Sequence, residues 1–215
     1  MNPIGEENSM RTLVLLAFGA LIVAGCVHFG KIATDIAPTA ATPVKYPASM
    51  GLFYTTRLTN CLVVRKPGTM YGGSHEYRYH WGPALQAALT KSVEAAYANV
   101  RVVNRLPSPG EFDRVIKFDL TWVDLAVEFV PGYLRQEAKA DSAVHIEMEI
   151  FDGKTMRSVK KLPVVGKGSS RKDASGFSAY ASKQFTLATE KAIQQLSEIV
   201  THLLITGTAE PERKS

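Results

Sequence analysis

Between Arg114 and Val130 apolar and polar residues alternate with a period of two, and midway the alternation changes phase. Ile116, Phe118, Leu120 and Trp122 would face one way, with Lys117, Asp119 and Thr121 opposite. After Trp122 the apolar positions become Val123, Leu125, Val127 and Phe129, and the polar ones Asp124 and Glu128. A strand buried on one face cannot pass through such a change without exchanging its faces. Two solutions exist. One extra residue near Trp122-Val123 forms a bulge, or the second half packs against another surface. The second solution would make Leu125, Val127 and Phe129 a partner surface.

The following segment repeats the alternation without a break. Ser142, Val144, Ile146, Met148 and Ile150 alternate with His145, Glu147 and Glu149, which predicts a half-buried strand. Asp152-Gly153 is a hairpin signal, so residues 154–165 should return antiparallel. Shorter strands are expected over Gly51 to Leu58, Cys61 to Arg65, residues 75–81 and Val100 to Leu106. In 75–81, Tyr77 and Tyr79 share one face with His75, while Glu76, Arg78 and His80 take the other. Tyr71, Tyr77, Tyr79 and Trp81 read as core and sheet-face aromatics.

Two segments carry helical spacing. Gly82-Pro83 opens the first, with proline suited to a position whose N–H has no partner. Leu85, Ala88, Leu89, Ser92, Val93 and Ala96 form its stripe, and Asn99 is expected as a left-handed cap. The second places Phe185, Ala188, Ala192, Leu196, Ile199 and Leu203 on one face. Between them, Gly166 to Gly176 is rich in Gly, Ser, Lys and Arg and reads as a mobile loop. With 46% hydrophobic and 21% charged residues, the chain can bury a core. The expected fold is α+β: a mostly antiparallel sheet of five to six strands, packed by helices over 82–98 and 178–206 in a two-layer sandwich. It occupies residues 49–207 as one domain, with 208–215 as a solvated tail.

The amino terminus has its own signature. Residues 12–25 are uncharged and largely apolar. That is too short to span a bilayer core, which takes about 20 residues, and it suits a signal-peptide core. The run ends in Val23-Ala24-Gly25-Cys26. This resembles the lipobox of bacterial lipoproteins, with an aliphatic residue three before the cysteine and two small residues between. The resemblance covers residues 10–26. It implies cleavage before Cys26, a diacylglyceryl group on its thiol and acylation of the new amine. One acyl chain anchors only marginally, at about 0.8 kcal/mol per buried CH₂, whereas two or three hold durably. Residues 1–9 carry Glu6 and Glu7 and no basic residue, so either Met10, followed by Arg11, is the expected start or residues 1–9 are dispensable. Val27 after the cysteine, rather than Asp, implies the outer membrane by the enteric sorting pattern. Residues 27–48 include Ala-Pro-Thr-Ala-Ala-Thr-Pro and read as a flexible tether.

No catalytic constellation stands out. His75, Glu76 and His80 lack metal-site spacing, and in a strand the two histidines point apart. Gly176-Phe177-Ser178 and Gly168-Ser169-Ser170 lack the Gly-x-Ser-x-Gly frame of hydrolases. Gly166-x-Gly168-Ser-Ser-Arg lacks the Gly-Lys-Ser/Thr ending of a phosphate loop. With Cys26 lipidated, Cys61 has no intrachain partner, and its apolar surroundings predict a buried, inert thiol. The mature chain carries 24 basic against 18 acidic residues, too modest and scattered an excess for nucleic acid. Lys167, Arg171 and Lys172 could form a basic patch for anionic lipid, lipopolysaccharide or an acidic protein.

The order of elements resembles small periplasmic lipoproteins that assist envelope machinery, such as the lipoprotein partner of the lipopolysaccharide translocon and the auxiliary lipoproteins of ABC-type transporters. That likeness is architectural and assigns no functional residue. It implies a non-enzymatic accessory protein without cofactor or metal, anchored by lipid and facing an envelope partner. The rival expectation is a lipoprotein that binds a lipid or glycan, and a hydrolase comes third.

Overall fold

The computed structural model describes residues 27–42, 44–66, 76–131, 136–174 and 179–207. In chain order the elements are β1 (Val27–Gly30), β2 (Tyr46–Tyr54), the single turn α1 (Thr56–Thr59), β3 (Leu62–Arg65), β4 (Glu76–His80), α2 (Gly82–Glu94), β5 (Tyr97–Val103), β6 (Arg114–Pro131), β7 (Gln136–Asp152), β8 (Ser158–Ala174) and α3 (Ala179–Ile205). They form an α+β sandwich. Five strands in the order β5-β2-β6-β7-β8 make the main sheet, and β1-β4-β3 make a smaller one.

The sheets are mixed: antiparallel ladders make up most of the pairing, as expected, but neither sheet is purely antiparallel. β2 runs parallel to β5 and β6, and β1 runs parallel to β4. The reason is connectivity. After β2 the chain builds α1, β3, β4 and α2 before returning as β5, and a return through a helix re-enters the sheet in the same direction. Only β6, β7 and β8, joined by hairpins, form the antiparallel meander read from the sequence.

The phase change in β6 is a bulge. Leu120 pairs with Ile146 and Trp122 with His145, which leaves Thr121 as the extra residue. Leu125 therefore returns to the helix-covered face of Phe118 and Leu120, and is buried with them. Trp122, expected beside Leu120 in the core, is turned to the outer face and is 49% exposed. Its ring meets His145 edge-on at 4.8 Å between centroids.

Helix α2 buries Leu85, Ala88, Leu89, Ser92 and Val93 as its spacing predicts. It ends earlier than expected. The Ala95 and Ala96 amides donate back to the Lys91 and Val93 carbonyls, and Asn99 is not a cap. Asn99 lies within β5, where its side-chain amide donates to the Pro47 carbonyl at 3.0 Å. In α3, Phe185, Ala188, Ala192 and Leu196 are buried, and Val200 and Leu204 continue the fully buried stripe with Ile199 and Leu203 partly buried against it. The two helices meet at small residues, where the Ser92 and Ser197 hydroxyls lie 2.7 Å apart.

Two segments read as flexible are packed. Residues 166–174 are the second half of β8, not a loop. Their glycines serve close approach: a Cβ on Gly166 would stand 2.1 Å from the Ala192 carbonyl oxygen. One on Gly168 would stand 2.1 Å from that of Ala188. Likewise the supposed tether begins as β1 and continues along α3. Ile32 is buried, and the Ala33 amide donates to Glu190 at 3.0 Å. Gln194 donates to the Ala37 carbonyl at 2.9 Å, and the Thr39 hydroxyl donates to Glu198 at 3.0 Å. Glu190, Gln194 and Glu198 recur every four residues, so one helix edge offers a row of polar partners to an extended chain. Sequence composition showed the prolines of this segment but not that row.

Candidate functional site

The residues singled out from the sequence are not brought together. Val23, Ala24, Gly25 and Cys26 lie outside the described residues, as does His75. Leu125 is 1% exposed, so it offers nothing to a partner. Val127 and Phe129 belong to β6 and Lys172 to β8, with side chains outside those described. Lys167 and Arg171 are exposed on β8, but carboxylates stand among them. Arg171 pairs with Glu137, and Lys161 with Glu147 at 2.9 Å. Lys167 lines a shallow depression with Asp124 and Asp141. The region is a mixed ionic surface, not a uniformly basic one.

Four of the nine exposed large apolar residues among those described lie together on the small sheet. Its inner face is closed by α3: Tyr77 meets Phe185 edge-to-face at 4.9 Å, and the Tyr79 hydroxyl donates to the Ser182 carbonyl at 3.1 Å. Its β3 edge is tied to β6, where Arg65 donates to the Leu125 carbonyl and pairs with Asp124 at 2.9 Å. Alternation then sends Val27 and Phe29 of β1, and Leu62 and Val64 of β3, to the outer face. Phe29 is 69% exposed, and the other three range from 38% to 45%. The register sets Phe29 and Val64 on either side of Arg78 in the central strand. The guanidinium of Arg78 bonds Glu76 at 2.5 Å and, with Lys66 at 3.6 Å, holds that carboxyl below its usual range. Sequence reasoning missed this face because Val27 and Phe29 fell in a segment read as linker. The alternation Val27-His28-Phe29 was its only signal.

A second feature is a cleft of about 630 Å³ outside the carboxyl ends of the parallel strands β2 and β5. Thr56, Thr59, Gln86, Asn104, Arg105 and Glu111 line it together with Tyr54, Val102 and Val103, a mixed polar and apolar surface. The Tyr54 hydroxyl is engaged with that of Thr90 at 2.8 Å, and burial holds the phenol above its ordinary range. No histidine or cysteine lines the cleft.

Cys61 is buried and unbridged, and burial pushes its thiol up to about 11. Almost none is thiolate at neutral pH, so it is a poor nucleophile. Among the described residues no cluster of His, Cys, Asp and Glu has the geometry to hold a metal ion. No described helix is long and apolar enough to cross a membrane.

No family model and no curated protein matches the chain. Solved structures do. A Xanthomonas campestris protein of the DUF330 family aligns with a TM-score of 0.50 at 13% identity, over 86% of this chain and 97% of that one. The likeness is one of fold. A minor lipoprotein from Acinetobacter baumannii aligns with a TM-score of 0.42 at 10% identity, over 77% of this chain and 96% of its own. A homolog of a neuraminyllactose-binding hemagglutinin from Helicobacter pylori aligns at 0.46 and 9%, over 81% and 96%.

Proposed function

We propose that the chain is a bacterial lipoprotein, lipidated on Cys26 and held on the periplasmic side of the outer membrane. Its domain acts by contact within an envelope assembly rather than by catalysis. One observation carries the reading: Val27, which directly follows the cysteine of Val23-Ala24-Gly25-Cys26, already belongs to the paired strand β1. The lipobox and the first strand therefore meet without an intervening linker. A buried high-pKa thiol, an acid-paired basic region and a cleft without histidine or cysteine all suit a contact role.

The test is Cys26→Ser in the full chain. The expected outcome is an unprocessed precursor without the mass of diacylglyceryl and acyl groups, and loss of durable binding to outer-membrane fractions after high-salt wash. A serine variant processed and retained like the parent would overturn the anchor. Crosslinking of the lipidated protein in its own membrane should recover a defined envelope partner, and recovery of none would count against the assembly role.

The cleft favours a second reading, the display of a ligand site on the same anchor. Its mixed lining, with Thr, Gln, Asn, Arg and Glu groups beside the Tyr54 ring, suits a saccharide better than an acyl chain. Stabilisation of the protein by a saccharide panel, abolished by Arg105→Ala, would establish it. Absence of any shift across the panel would remove it.

A further inference from the structure

The outer face of the small sheet is an unfinished surface for water, and its place in the chain says what finishes it. Consecutive Cα atoms lie about 3.8 Å apart, so Val27 stands one such step from the lipid-bearing residue. Phe29 follows about 7 Å further along the strand. β1 pairs with β4 along its whole length. Beyond Gly30, buried Ile32 and the bond from the Ala33 amide to Glu190 fasten the chain again. No slack separates Cys26 from the folded domain, so the domain cannot swing this face away from an anchored lipid.

We infer that this outer face is the membrane-contacting surface of the protein, seated on the leaflet that holds the Cys26 lipid. Val27 and Phe29 enter the boundary between headgroups and acyl chains, with Leu62 and Val64 beside them. Arg78 and Lys66, which pair with Glu76 on the same face and leave that trio one net positive charge, lie at the level of the phosphates. The inference rests on the lipidation proposed above. It fits the chemistry of the interface, where aromatic and aliphatic residues bury by about 5–10 Å and cations meet headgroups. It also explains an arrangement that a solvated sheet would not favour: one polar strand flanked on both sides by exposed apolar ones.

Single cysteines placed in the full, lipidated chain test this on vesicles of phosphatidylethanolamine and phosphatidylglycerol, with a water-soluble maleimide as the probe. Phe29→Cys and Leu62→Cys report on the face. Leu106→Cys and Val159→Cys, at positions 45% and 37% exposed, report on surfaces elsewhere. Buried Cys61 contributes little background. From exposure alone, positions 29 and 62 should react at least as fast as 106 and 159. On vesicles they should react about tenfold more slowly. A fluorophore at position 29 should also be quenched by nitroxide-labelled lipid. Equal labelling at all four positions, with lipid on Cys26 verified by mass, overturns the docking and leaves the anchor standing. Slow labelling at 29 and 62 without lipid quenching assigns the face to a protein, such as a second copy, and also overturns it. A Cys26 without lipid removes both the anchor and the inference.

Discussion

The two sheets lean on the same helix, yet they hold it by different means and present different outer faces. The main sheet meets α3 backbone to backbone, where Gly166 and Gly168 admit the Ala192 and Ala188 carbonyls. The small sheet meets it through rings, with Phe185 set between Tyr77 and Tyr79. On its outer face the main sheet pairs charge across strands, Lys117 with Glu149 at 3.3 Å and Lys161 with Glu147 at 2.9 Å. The small sheet leaves Val27, Phe29, Leu62 and Val64 uncovered. Five strands and two helices thus finish one face for water except at Trp122, while three short strands finish only their inner side. A chain that needed nothing beyond solubility would have little reason to treat the two faces differently. The contrast is the physical argument for contact as function.

The contrast predicts that the two contacts with α3 fail separately. Phe185→Ala should have the largest effect, about 3–5 kcal/mol, because it leaves a cavity under both tyrosines. Urea titration of the processed chain measures the loss. Amide exchange should quicken first in β1 and β4, with β7 and β8 protected longer. Uniform loss of protection would mean that the sheets form one cooperative unit. Gly168→Val should cost somewhat less, roughly 1–3 kcal/mol, by forcing α3 off β8. Here exchange should rise in β8 while β4 keeps its protection. A neutral valine would show that the helix approach is not as close as a Cβ distance of 2.1 Å implies.

Much of the main sheet could be read from the sequence, because alternation over Arg114 to Ile150 leaves few ways to bury one face. The bulge was written into the phase change, and the paired apolar stripes of α2 and α3 announced a single helix layer. What failed has a common cause. Gly166, Gly168 and the Pro-Thr segment after Ala37 owe their order to contacts with α3, 20 or more residues distant for the glycines and over 150 for Ala33 and Glu190. Local composition carries no trace of such partners. Trp122 was misplaced for a narrower reason. A bulge shifts facing by one residue, and the sequence did not say whether Thr121 or Trp122 was the extra one. The candidate face was hardest to see, since it joins β1 to β3 across β4 and spans a change of apparent domain boundary.

The smallest predicted effect separates the sheets electrostatically. Each carries a carboxyl held below its ordinary value. On the main sheet, Asp113 accepts from the Ser49 amide and hydroxyl, both at 2.8 Å, and these neutral donors lower it from 3.8. On the small sheet, the hydrogen bond and charge of Arg78 lower Glu76 from 4.5. A depressed carboxyl contributes stability that is fully present above its unfolded value and is lost as pH falls through its folded one. The urea midpoint should therefore be level near neutrality and fall below about pH 4. Asp113→Asn and Glu76→Gln should each lower the neutral midpoint slightly and flatten that fall. Salt then distinguishes them. At about 1 M, screening acts over only a few ångströms and weakens exposed ion pairs, so the difference between Glu76→Gln and the parent should shrink. The difference for Asp113→Asn, which rests on hydrogen bonds from uncharged donors, should persist. If both shrink alike, charge rather than the Ser49 bonds holds Asp113, and the two sheets are less distinct in their chemistry than their faces suggest.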